Sequence, residues 1–149
     1  MESDREQPIN IQADAAIVDE TSGSSVYKGN VIITQGTLEI TANEVETFTA
    51  AGEVIQIIAT TDKDSEVLAH YQQQINDAME MVVADAQKIT YLIQEDRLHL
   101  SGDARLQKVR DVFTGQLLSY DLERGIVNLN SLGGSDRVKM TITPKKPSL

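Results

Sequence analysis

The stretch YKGNVIITQGTLEITANEVE, residues 27–46, decides the fold class. Leu38 and Ile40 fall on one side of an extended chain, with Glu39 and Thr41 on the other, and Val31 and Ile33 repeat the pattern before the break at Gln35 and Gly36. A period of two is that of a half-buried β-strand, because successive side chains leave a strand on opposite faces. The polar break has turn chemistry, so the stretch reads as paired antiparallel strands.

Outward from it the pattern recurs. INI at 9–11, AIV at 16–18 and VY at 26–27 precede VIIT, LEIT and VETF at 31–34, 38–41 and 45–48. VIQIIA, VLAHY, MVVA, ITYLI and RLHL follow between residues 54 and 100, then ARLQ, VFT, LLSY, IVNLN and VKMTI between 104 and 142. These sixteen pieces, separated mostly by Gly, Asn or Asp, predict an all-β chain of about sixteen antiparallel strands. Only residues 72–88, with Ala and Met at loosely helical spacing, leave room for a helix. In RLHL, Leu98 and Leu100 oppose Arg97 and His99, so each strand has an apolar and a wet face around a common interior.

The chain also echoes itself. AD at 13–14 returns as AD at 84–85, GNV at 29–31 as GDA at 102–104, and LEITANEV at 38–45 as DVFTGQLL at 111–118, with offsets of 71 and then 73 residues. Two stacked β-units would share a continuous channel-like interior with two open ends. Exposed strand edges at such ends accept further strands.

At 149 residues the chain suits one domain, expected over residues 7–143 between a flexible start at 1–6 and a flexible tail at 144–149. A formal charge of -10 opposes binding to nucleic acid or an anionic membrane surface. With no Cys there are no disulfides and no thiolate chemistry. No apolar run reaches the length of a membrane-spanning helix, and the start MESDREQPINI lacks a signal-peptide stretch. Either a cytoplasmic protein or an exported chain whose leader is missing from this sequence fits that start.

Searching for chemistry returns little. His99 alternates onto a polar face, and His70 in VLAHY reads as a sheet residue or, less readily, a lining one. Neither has a second ligand at metal spacing, so no metal or cofactor is expected. Asp62, Lys63 and Asp64 make a charged hairpin tip rather than a calcium loop. The serines of TSGSS at 21–25 sit in a turn composition with no nucleophile elbow, and no pair of the 23 carboxylates is singled out for catalysis. A non-enzymatic protein is the expectation.

QPINIQADAA at 7–16 and the opening stretch together resemble the LptA/OstA-like family of periplasmic lipopolysaccharide transport proteins. Weaker likeness continues through residues 84–107 and 113–125, and Asn43 stands where that family usually has Asp. The resemblance implies a twisted, partly open β-jellyroll with an apolar interior groove for lipid A acyl chains. It implies a periplasmic carrier that stacks head to tail with itself, and with inner- and outer-membrane components of similar fold. With the alternation, it assigns the groove to Ile9, Ile11, Val31, Ile33, Leu38, Ile40, Val45, Tyr91, Ile93, Leu98, Leu100, Leu106, Phe113 and Leu118. The docking edges fall at Pro8, Ile9, Asn10 and Ile11 at one end, and at Val127, Leu129, Val138, Met140 and Ile142 at the other. His70 falls where relatives often carry an aromatic. The competing reading is a structural β-assembly module with a filled core.

Overall fold

The computed structural model describes residues 4, 6–62, 67–75, 80–133 and 137–144. Most of the expected flexible start and tail, together with Lys63 and Asp64, therefore lies outside the described residues.

Twelve strands run in chain order: β1 (Asn10–Gln12), β2 (Ala15–Asp19), β3 (Ser24–Gln35), β4 (Leu38–Ala50), β5 (Glu53–Thr60), β6 (Ala69–Gln74), β7 (Met81–Ala86), β8 (Lys88–Leu92), β9 (Arg97–Lys108), β10 (Asp111–Asp121), β11 (Ile126–Asn130) and β12 (Lys139–Thr141). The expected sixteen shrink to twelve for a physical reason. VY and VIIT are two halves of β3, and β4, β9 and β10 likewise each absorb two of the apolar pieces. The turn signals at Gly29–Asn30 and Gly102–Asp103 are bulges inside β3 and β9, where the strand bends and then continues. The stretch open to helix holds no helix in its described parts; it carries the end of β6, all of β7 and the first residue of β8.

All pairings are antiparallel, and they divide into two layers that share the long strands. The first runs β1, β3, β4, β6, β7, β9, β10, β12, using residues 31–35 of β3 and 104–108 of β9. The second runs β2, β3, β4, β5, β8, β9, β10, β11, using residues 24–28 of β3 and 97–101 of β9. Strands β4, β5, β8, β9, β7 and β6 close a ring of six, and the other six lie outside it. This is an all-β, jellyroll-like architecture.

Each long strand turns from one layer to the other near its middle. Gly29 and Asn30 in β3 both have positive φ, 84° and 46°, and Gly102 and Asp103 in β9 match them at 80° and 49°. The register skips both pairs: Lys28 faces Glu44 and Val31 faces Ala42, while Ala104 faces Gly115 and Ser101 faces Leu117. A bulge of this kind bends the strand and strengthens its twist. At the two corners the Asp14 amide donates to the Gly29 carbonyl at 3.0 Å and the Gln87 amide to the Gly102 carbonyl at 2.8 Å. The sequence repeat is thus a structural one: β1 to β6 and β7 to β12 are two copies of one six-strand unit.

Between the layers twenty apolar side chains form one core, none more than 3% exposed. This packing closes the centre of the interior with the chain's own side chains. Gly29→Ala and Gly102→Ala each impose a positive φ on an alanine and push it toward Asp14 or Gln87. Each should lower stability by about 1–3 kcal/mol, read from urea denaturation midpoints.

Candidate functional site

Of the fourteen residues expected to line a groove, ten belong to the single interior cluster and four pack against it. Val31, Ile33, Leu38, Ile40, Val45, Tyr91, Leu98, Leu100, Leu106 and Leu118 are fully buried within it. Ile9, Ile11, Ile93 and Phe113 are partly buried and packed against it. Ile9 and Ile11 belong to the β1 end of the stack, and Val127 and Leu129 occupy the same half-buried state in β11. The interior is therefore tight in the middle and looser at its ends.

The alternation passes over several core members that the structure adds. Tyr71 and Tyr120 are the largest of its fully buried side chains. Tyr71 in β6 meets Tyr91 in β8 edge-on, with ring centroids 5.6 Å apart and planes at 72°, so the two layers touch through aromatic rings. Burial pushes the Tyr71 hydroxyl well above the ordinary phenol range. Tyr71 is hard to read from sequence because Gln72, Gln73 and Gln74 follow it and make the strand look polar on both faces.

Among the described strands β1 pairs only with β3, and β11 and β12 only with β10. Asn10 and Ile11 lie on β1, with Pro8 and Ile9 just before it; Val127 and Leu129 lie on β11; Met140 lies on β12, with Val138 and Ile142 just beyond its ends. Val138, Met140 and Ile142 are exposed. Sequence reading missed one edge: β2 pairs only with β3 and presents Ile17 and Val18, 73% and 61% exposed. The signal was available in the repeat, which places β2 on β8.

His70 points to the outer face of β6 and lines no groove. Its Nδ1 lies 2.7 Å from Asp85 Oδ1 and its Nε2 lies 3.0 Å from Gln72 Oε1. Two acceptors on the two ring nitrogens favour the imidazolium. The Asp85 hydrogen bond raises the His70 pKa above its ordinary value against the opposing effect of burial, with Gln72 adding to the rise. His99 is exposed. Among the described residues no three His, Asp or Glu side chains group together as a metal site. The turn serines help to close the β2–β3 hairpin, where Asp19 Oδ1 accepts from the Ser22 amide at 3.1 Å.

Among the described residues, an apolar core, strands with a single neighbour at each end and an internal repeat stand together. Residues 10–126 match the family described as LptA/(LptD N-terminal domain) LPS transport protein. The chain belongs to this family. It is 33% identical over 150 residues to the lipopolysaccharide export system protein LptH of Pseudomonas aeruginosa, covering 97% of this chain and 83% of that one. It is 32% identical to the Escherichia coli lipopolysaccharide export system protein LptA over 117 residues, which are 78% of this chain and 61% of that protein. The crystal structure of the Pseudomonas LptH, the LptA-homologous periplasmic component of a lipopolysaccharide transport device, superposes with a TM-score of 0.83 at 31% identity. That match covers 95% of this chain and 99% of the other. The expectation of a non-enzymatic protein stands on this membership in a transport family.

A raised histidine pKa stabilises the fold below the unfolded value, about 6.5, and that contribution is lost as pH rises through the folded one. The denaturation midpoint should therefore fall as pH rises past the ordinary imidazole range. His70→Asn should flatten that fall, by a modest amount because both partners are more than a quarter exposed.

Proposed function

We propose that this chain is a periplasmic carrier of lipopolysaccharide, holding the acyl chains of lipid A against its apolar interior. On this reading, copies join end to end between inner-membrane and outer-membrane transport components of similar fold. Family membership supports the cargo, and the internal repeat supports the bridge.

Within the chain the two units meet where β5 pairs with β8 and β6 with β7. Ile57 faces Tyr91 and Ala59 faces Ile89 in one ladder, and Tyr71 faces Ala84 in the other. The repeat puts β11 in the place of β5, β12 in that of β6, and β1 and β2 in those of β7 and β8. A second copy added in the same way would set Val127 opposite Val18, Leu129 opposite Ala16, and Met140 opposite Ile11 of the next molecule. Each exposed apolar strand would then gain the cover that its counterpart already has inside the chain.

The cargo reading must agree with the charge. A protein of net charge -10 gains nothing from a phosphorylated head group, so affinity comes from the acyl chains, with sugars and phosphates left outside. Each buried methylene is worth about 0.8 kcal/mol, and several full chains would exceed the practical ceiling of about 18–21 kcal/mol. Partial burial and hand-over between similar interiors follow. The filled core favours one rival, an assembly module without lipid access.

Photocrosslinking separates the two. A light-activated residue at Ile33, Leu38, Tyr91 or Leu106 should form adducts with lipopolysaccharide, and one at Glu39 should not. No adduct from the interior set in folded protein would sink the carrier and leave the module. For the bridge, Val18→Cys with Val127→Cys in this Cys-free chain should give a ladder of cross-linked multimers on oxidation. A chain that stays monomeric at every concentration would refute self-stacking.

A further inference from the structure

The two units build the same corner twice, and the second copy departs from the first in one respect. Where β3 and β4 bend, Ile32, Ala42, Val67 and Leu68 line a cavity of about 340 Å³. Where β9 and β10 bend, a larger one of about 510 Å³ is lined by Leu68, Ala104 and Gly115 together with Arg105, Arg137 and Lys139. The pairing fixes the correspondence. Ile32 faces Thr41, which faces His70, and Arg105 faces Thr114, which faces Lys139. Arg105 therefore stands where the first unit has Ile32. Arg137, two residues before Lys139, stands where it has Leu68, two before His70. The first corner folds without arginine at either place, so folding alone does not call for the pair in the second.

The cations are also left without counter-charges. Arg105 directly faces Asp85 across β9 and β7. The Asp85 carboxylate is nevertheless taken by His70, 2.7 Å away, and the Arg105 guanidinium turns along its own strand to Gln107 Oε1 at 3.4 Å. Among the described residues Arg105, Arg137 and Lys139 form no ion pair. Charge on an edge strand deters wrong pairing, which accounts for Lys139 on β12. Arg105 has β7 on one side and β10 on the other, so it has no edge to protect. It is exposed between the buried Ala104 and Leu106, and the cleft opens on the outer face of the layer. The charge of -10 is a sum over the whole chain, which denies an anion any general attraction but is screened beyond about 8 Å at physiological salt. At contact the local cations decide.

We propose that this cleft binds a phosphate monoester carried on a sugar. Guanidinium forks match phosphate oxygens two at a time, and Arg105 and Arg137 supply two forks with the Lys139 ammonium beside them. Asp103, Thr114 and Gln116 line the same cleft and offer the acceptors and donors that sugar hydroxyls need. The volume falls within the range of about 300–1,000 Å³ usual for small-molecule sites, enough for a sugar ring as well as its phosphate. Two sources share this chemistry, a soluble sugar phosphate and the head group of a phosphorylated glycolipid. The site goes beyond the carrier reading and does not depend on it, because it lies outside the apolar interior.

Titration of the full chain with glucosamine 1-phosphate, followed through amide shifts in two-dimensional NMR, tests the site. Shifts should centre on Arg105, Gly115 and Lys139, and binding should weaken as salt is raised. Inorganic phosphate and glucosamine should each bind about tenfold more weakly or worse. Arg105→Gln combined with Arg137→Gln should cost about tenfold or more in affinity while the rest of the spectrum stays in place, and Lys28→Gln, outside the cleft, should cost nothing. Unchanged affinity in the double variant, shifts scattered over the surface, or inorganic phosphate binding as tightly as the sugar phosphate would each overturn the proposal. A light-activated residue at Gln116 then separates the sources. Adducts with lipopolysaccharide that vanish on its dephosphorylation assign the head group; no adduct, with binding of glucosamine 1-phosphate retained, assigns a soluble ligand. Cross-links from the interior positions bear on the carrier alone, so either reading can fail without the other.

Discussion

Four strands have to serve two layers at once, and the corner each makes in its middle is what the rest of the structure depends on. Gly29 with Asn30 and Gly102 with Asp103 supply it in β3 and β9, where the backbone enters the left-handed region twice in succession. Because β4 and β10 follow their partners through the same bends, the layers are joined along one side by continuous chain. The apolar faces then have to meet, and the core is the result.

This explains why the sequence is easy to read at one scale and misleading at another. Alternation in LEIT, RLHL and VIIT assigns inward and outward faces with few errors, since burial on one side leaves no freedom in the pattern. Strand number is harder. A glycine followed by Asn or Asp has the composition of a hairpin turn, and only the tertiary pairing shows that the chain continues through it. The interior residues were legible for the same reason that the faces were. Tyr71 and Asp4 were not: one is followed by three glutamines, and the other is a lone carboxylate whose burial depends on Thr37 and Gln73, far away in sequence. The β2 edge lay in between, readable from the repeat but not from its own five residues.

A packed interior and the proposed lipid cargo make opposite demands, and burial differs between the centre and the ends. The centre is closed by Ile33, Ile40, Tyr71 and Leu98, while Ile9, Ile11, Val127 and Leu129 at the ends are only partly covered. On the proposed carrier reading, hydrocarbon tails would compete for the same apolar surface that holds the layers together. Loading would then exchange one set of similar contacts for another, so the net change would stay small although the gross terms are large.

The repeat has a mechanical side. In a row of these molecules the strands lie across the axis and their backbone hydrogen bonds lie along it, so a pull from either end loads every bond of a junction together. The junction inside the chain joins β6 and β7 through six paired residues, whereas β12 and β1, which would meet between molecules, are three residues each. Under tension the row would part at its subunit boundaries, like a fuse, leaving each molecule folded and able to rejoin.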